Sequence, residues 1–180
     1  MKGAEASLSI EPASPADDLA ARCRARDPRA LQQVAEKYGP RVYRCACAWT
    51  GDPDEAQDLA QETIVRFLET VDHFEGSCSL ATWLFRIAHN LLANRRRRQD
   101  VEERSLRRRR PSSTTTPDAD RALDLIAAVP EELRQTLTLF YVEGLSLAEI
   151  GEVLDLPLST LKWRLFDGRK RIRLLLEKTS

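Results

Sequence analysis

Ser159, Thr160, Lys162, Trp163, Arg164, Arg169, Lys170 and Arg171 share one short C-terminal stretch, L-S-T-L-K-W-R-L-F-D-G-R-K-R-I-R. Hydroxyls and cations are the groups that hydrogen-bond base edges and pair with phosphate oxygens. Leu161 and Leu165 recur among them at helical spacing, so the stretch reads as a helix with one apolar side and one cationic side. An earlier apolar pattern holds Leu145, Ile150 and Leu154, and the turn Asp155-Leu156-Pro157 separates the two. Ser146, followed three residues later by Glu149, predicts a capping box on the first of these helices. Two helices joined this way form a helix-turn-helix, whose second helix enters a groove of duplex DNA. Ser159, Thr160, Lys162, Trp163 and Arg164 are assigned to the groove, and Arg169, Lys170 and Arg171 to the phosphate backbone. The alternative is a solvated basic face on an ordinary helical hairpin.

A second constellation lies upstream. Glu55, Asp58 and Glu62 recur at three and four residues and so share one helix face. Arg95, Arg96, Arg97 and Arg98 end the next helical pattern, S-L-A-T-W-L-F-R-I-A-H-N-L-L-A-N-R-R-R-R. Each feature alone reads as solvated surface. No enzyme is indicated: His73 and His89 lack a Cys or paired-carboxylate group at catalytic or metal spacing, and no glycine-rich phosphate loop is present. No cofactor or metal is expected.

These groups need helices to position them. Asp17-Asp18 can cap a helix through Leu19 and Cys23, and Asp27-Pro28 starts another that Gly39-Pro40 should stop. A third helix is expected from Arg41 to Thr50, a fourth from Asp54, and a fifth from Leu80 to about Arg98. Phe74 to Ser79 reads as a loop. Residues 99–119 lack large apolar side chains and contain Arg107 to Arg110 and P-S-S-T-T-T-P, the composition of a linker. A second helical unit follows, with Leu123, Leu125, Ile126 and Val129. No segment alternates with period two. The fold class is therefore all-α: a flexible tail (1–16), a helical domain (17–98), a flexible linker (99–119) and a second small helical domain (120–180).

The chain has 180 residues and a formal net charge of +0. That sum conceals four blocks of alternating sign. Residues 1–76 carry 9 basic and 14 acidic groups (net −5) and residues 77–110 carry 10 and 3 (net +7). Residues 111–156 carry 2 and 9 (net −7) and residues 157–180 carry 7 and 2 (net +5). Two separate basic surfaces point to two contacts with a polyanion. Cys23, Cys45, Cys47 and Cys78 read as small apolar core residues. No basic start with a following apolar run opens the chain, and no stretch approaches a membrane span, so a cytoplasmic location with free thiols is expected.

Taken together, the two constellations resemble the bacterial RNA polymerase sigma factors of the extracytoplasmic-function group. E-A-Q-D-L-A-Q-E (55–62) is similar to that family's D-A-E-D-L-V-Q-E stretch in region 2. Residues 79–98 resemble its S-x-x-T-W-L-x-x-I-A-x-N segment with a basic end, and residues 129–172 resemble region 4. The resemblance implies a factor that binds core RNA polymerase, directs it to a promoter and helps open the duplex. It implies that Glu55, Asp58, Gln61 and Glu62 face the beta-prime clamp helices, with the beta flap as a further polymerase contact. Phe74, Ser77, Arg86, Asn90 and Arg95, Arg96, Arg97 and Arg98 would meet the minus-ten element, with Trp83 read as core. Residues 159–171 would read the minus-thirty-five element. Many relatives are held by an anti-sigma factor, which adds a possible partner.

Several positions depart from the family pattern: Gln57 replaces an acid, Ala60 a larger aliphatic and Trp163 a small residue. Asp155 stands where glycine is common, and Asp167 where a cation is common. The competing reading is a two-domain helix-turn-helix regulator that acts without being a polymerase subunit.

Overall fold

The computed structural model describes residues 15–103, 125–126 and 128–179. The Arg107 to Arg110 tract, the P-S-S-T-T-T-P segment, Leu123 and the first fourteen residues lie outside the described residues. Among the described residues there are seven α-helices and no strand. They are α1 (Pro15–Arg24), α2 (Pro28–Thr50), α3 (Pro53–Thr70), α4 (Leu80–Glu103), α5 (Glu131–Leu137), α6 (Leu147–Leu154) and α7 (Leu158–Thr179). A 3-10 turn (Val71–His73) follows α3, and a π turn (Thr138–Val142) extends α5.

Gly39-Pro40 does not stop a helix: α2 runs through it to Thr50. The reason lies in the apolar stripe. Ala30, Val34, Tyr38, Val42, Cys45 and Trp49 keep helical phase across the dipeptide and are all buried. Burial of that continuous face outweighs the single hydrogen bond that proline removes. Pro40 itself is exposed, so the carbonyl it leaves unpaired faces the solvent side. Other boundaries follow local chemistry. Asp27 caps α2 and Asp52 caps α3, the latter accepting from the Asp54 N–H at 2.9 Å and the Glu55 N–H at 3.2 Å. The last helix of the first unit also continues beyond Arg98, to Glu103.

The first unit packs α2 on α3 and α3 on α4, around Trp49, Leu59, Phe67, Leu84, Phe85 and Leu92. A buried Phe or Leu side chain contributes about 1.5–3 kcal/mol. Arg26 fastens α1 to the end of α3 by donating to the Leu68 carbonyl at 3.0 Å and pairing with Asp72. The second unit packs α5 on α7 through Ile126, Val129, Leu133, Leu137 and Leu165.

The two units do not stand apart. α4 packs on α6, and α2 packs on α5 and the π turn. Leu139, Leu145, Ile150, Val153, Leu154 and Leu161 belong to the same apolar core as Trp49 and Phe85. At this contact lies Glu143, with its side chain 1% exposed. Arg41 Nε of α2 donates to Glu143 Oε2 at 2.7 Å, and the Arg44 guanidinium lies 3.8 Å from Oε1. The Cys45 thiol is buried beside them, and burial followed by the Glu143 charge pushes its pKa well above the usual thiol range. Arg96 of α4 pairs with Glu131 of α5 and donates to the Trp49 carbonyl at 2.9 Å. Thr82 Oγ1 donates to Glu149 Oε1 at 3.2 Å.

A buried carboxylate stripped of its cation is strongly destabilising, whereas replacing both partners by apolar groups is close to neutral. Arg41→Met alone should therefore cost about 3–5 kcal/mol and enlarge the molecule; Glu143→Leu, which leaves a partly exposed guanidinium able to reach water, should cost less, and the double change should recover most of the loss. Denaturant unfolding and small-angle scattering read the two effects; singles indistinguishable from the parent would show that the pair does not hold the units together.

Candidate functional site

The helix-turn-helix is built from α5, α6 and α7. Its entry follows the sequence: Ser146 Oγ accepts from the Glu149 N–H at 3.3 Å, and Glu149 Oε2 accepts from the Ser146 N–H at 2.9 Å. The Ser146 N–H, followed by the Ser146 hydroxyl donating to the same oxygen at 2.7 Å, is the main cause of the lowered Glu149 pKa. Asp155 ends α6 in the left-handed region, with φ 52°, as a turn residue that replaces glycine must. The chain folds back tightly there. A Cβ on Gly151 would lie 3.2 Å from the Leu156 carbonyl oxygen.

α7 presents two sides. Leu161, Leu165 and Gly168 are buried, while Ser159, Lys162, Trp163, Phe166, Arg169, Lys170 and Arg171 are exposed. Thr160 and Arg164 are half-buried. Asp167 is not a free carboxylate facing the solvent, since Arg171 Nε donates to it at 2.8 Å. Phe166 also stands on the exposed side, out of phase with the apolar line at Leu161 and Leu165, and the sequence reading did not single it out.

Four acidic or amide side chains follow the expected face of α3. Asp58, Gln61 and Glu62 are exposed and Glu55 is half-buried, opposite buried Ala56, Leu59, Thr63 and Phe67. Glu62 is paired with Arg95. Beside this face lies a hollow of about 660 Å³, lined by residues that include Tyr43, Gln57, Ala60, Gln61, Ile64 and Val65. Val65 is 53% exposed, an apolar contribution to the face that the acidic spacing alone did not reveal.

The residues expected on the minus-ten side are not one cluster of free groups. Phe74 is buried, its ring 4.9 Å from that of Trp83, which in turn meets Phe67 at 5.6 Å. Ser77 and Asn90 are exposed and Arg86 is half-buried. Of the arginine run, Arg95 pairs with Glu62, Arg96 with Glu131, and Arg97 Nη2 donates to Asn94 Oδ1 at 2.6 Å. Arg98 is exposed. His89 is half-buried with its ring edge-on to Trp49. Burial holds its pKa below the ordinary value, reinforced by the nearby charges of Arg96 and Arg164.

A DNA-reading helical pair joined to a helical unit with an acidic face defines the class: a two-part, all-helical nucleic-acid-binding protein. Residues 34–102 match the Sigma-70 region 2 family, and residues 119–172 match Sigma-70, region 4. The chain is 30% identical over 166 residues to the ECF RNA polymerase sigma factor SigW of Bacillus subtilis, covering 82% of this chain and 89% of that one. Its fold is similar to CnrH, solved in complex with the cytosolic domain of CnrY (TM-score 0.69, 23% identity, 91% of this chain and 97% of that one). It is also similar to RpoE of Bartonella quintana, solved with the anti-sigma factor NepR (TM-score 0.69, 22% identity, 81% of this chain and 96% of that one). The chain belongs to the ECF sigma factor family.

The placement of α7 generates a prediction. A Cβ on Gly168 would lie 2.8 Å from Leu137 Cδ1, and Leu137 is fully buried. Alanine gains about 1 kcal/mol of helix propensity over glycine, but overpacking costs about 1–3 kcal/mol. Gly168→Ala should therefore lower thermal stability, and adding Leu137→Ala should relieve the clash; a higher melting temperature for Gly168→Ala alone would show that Leu137 yields freely.

Proposed function

We propose that this chain binds core RNA polymerase and directs promoter recognition, duplex opening and transcription initiation. The observation that carries the reading is the presence in one chain of both sigma regions, in order, with the DNA-reading side of α7 exposed. Sigma factors are initiation factors, not enzymes. The regulator alternative accounts for α5 to α7 but not for the region 2 match. The boundaries 17–98 and 120–180 are retained as the working division of the chain.

In this reading, Glu55, Asp58, Gln61 and Glu62 and the hollow beside them form the docking face for the clamp helices. The acidic groups speed encounter with a basic partner, and Val65 adds apolar area. Ser159, Thr160, Lys162, Trp163 and Arg164 read the upstream element, with Arg169, Lys170 and Arg171 on phosphates. Ser77, Arg86, Asn90 and the Arg95 to Arg98 run serve the minus-ten side, and Phe74 joins them only if it leaves Trp83. The two promoter elements lie about 25 base pairs apart, roughly 85 Å of duplex at about 3.4 Å per pair. A unit of this size has a radius of gyration of only about 12 Å. Units that share a core cannot span that distance, so the closed packing is a resting state that opens on the polymerase. An anti-sigma factor is a further partner consistent with the family. Action on RNA polymerase makes the location cytoplasmic; no described helix is long and apolar enough to cross a membrane.

Run-off transcription with added core enzyme should yield promoter-dependent product, and silence across a genomic promoter library would defeat the reading. Glu55→Ala/Asp58→Ala should weaken core binding about three- to tenfold, most at low salt, and unchanged affinity would remove these residues from the docking face. Arg169→Ala/Lys170→Ala should weaken holoenzyme binding to all promoters alike. It should also flatten the log–log salt dependence by about 2, one for each phosphate contact. A parent-like slope would place both cations off the DNA.

A further inference from the structure

Two large rings stand in solvent on the outer side of α7: Trp163 is 57% exposed and Phe166 64%. Three residues apart, they share a face, opposite buried Leu161, Leu165 and Gly168. Lys162, Arg169, Lys170 and Arg173 surround them, all exposed. A shallow groove of about 540 Å³ runs beside Phe166, lined also by Arg169, Lys170, Arg173 and Leu174. An adjacent pair of exposed rings marks a contact surface, and the cations around it select a polyanion over an apolar protein face.

We propose that Trp163 and Phe166 read thymine in the upstream promoter element, by packing against the C5-methyl groups in the major groove. This rests on the reading that α7 enters that groove. Phe166 has no polar side-chain atom, so it cannot hydrogen-bond any base edge. The apolar feature that a base pair offers in the major groove is the thymine methyl. Trp163 adds an Nε1–H, which can donate to thymine O4. Insertion of rings between base steps belongs to the minor groove and is not the geometry of a recognition helix. Asp167, the acid on this helix that would oppose phosphate, is engaged by Arg171 at 2.8 Å. Trp163 and Phe166 therefore supply sequence discrimination, while the cations around them supply affinity.

The test uses the full chain bound to core RNA polymerase, on an upstream element selected from randomised duplexes. Thymines in that element are replaced one at a time by deoxyuridine, which lacks only the methyl. Each contacted methyl should be worth about fourfold in affinity, the effect of burying one CH₂-sized group. Trp163→Ala and Phe166→Ala should bind thymine DNA more weakly and no longer distinguish the two bases at the contacted step. Parent protein that binds every deoxyuridine duplex as well as thymine DNA overturns the proposal, as does a selected element without thymine. A Trp163→Ala/Phe166→Ala protein that remains as methyl-sensitive as the parent overturns it too. Variants with full methyl sensitivity but weakened core binding assign the rings to a protein partner instead. Selection of no element at all removes the groove reading itself, and this proposal with it.

Discussion

The carboxylate of Glu143 sits between the two units, and the arrangement of the whole molecule depends on how it is satisfied. Taking a carboxylate out of water costs several kcal/mol unless a cation and good hydrogen-bond geometry replace the lost solvent. Arg41 supplies both at 2.7 Å, and it comes from the other unit. The apolar contact around it, which joins Ile150 and Val153 of α6 to the core under α4, is non-directional and would tolerate many dockings. The ion pair does not tolerate them. A slipped interface would bury the carboxylate without its partner. An open one returns Glu143 and Arg41 to water, where each is stable alone. The pair therefore favours one closed geometry or full separation over anything in between.

The same logic explains the alternating charge blocks. Arg41 and Arg44 lie in the acidic first block yet face Glu143 of the acidic third. Arg96 of the basic second block meets Glu131 of the third. Arg95 turns inward within its own unit to Glu62. Neutral on the whole, the chain pairs cations of one block with anions of another. The outer side of α7 takes no part in these exchanges between units: Lys162, Arg169 and Lys170 stay exposed in the closed form.

Much of this was legible in the residues. The capping box at Ser146 and Glu149, the left-handed Asp155 and the buried line Leu161, Leu165 are local consequences of chemistry within a few positions, and each follows the sequence expectation. The joining of two expected helices into α2 was not legible from Gly39-Pro40, because propensity is local and the burial that overrides it comes from α3. Glycine at position 168 lowers helix propensity by about 1 kcal/mol relative to alanine. Its contact with Leu137, in another helix, makes it a fitting point. Phe74 and Arg96 look like surface groups in sequence. Their burial and pairing depend on Trp83 and Glu131, which no short-range pattern connects to them. What escaped the sequence was in each case a contact between distant elements.

In the proposed reading, those distant contacts order the functional groups in time. Lys162, Trp163, Arg169 and Lys170 are exposed while the units are docked, so DNA could meet this side of α7 before anything moves, whereas Thr160 and Arg164 are half-buried. On the strand-opening side, Arg96 is held by Glu131 and the Trp49 carbonyl. His89 is half-buried, and burial, then the charges of Arg96 and Arg164, hold its pKa below the ordinary value. Separation of the units would release Arg96 from Glu131 at the same moment that it freed Glu143. Negative charge brought up by DNA or polymerase competes directly with those two carboxylates for the same guanidinium groups. Opening is thus favoured by the polyanion that the opened form must grip, and a weakly charged partner would have no comparable leverage on the closed state.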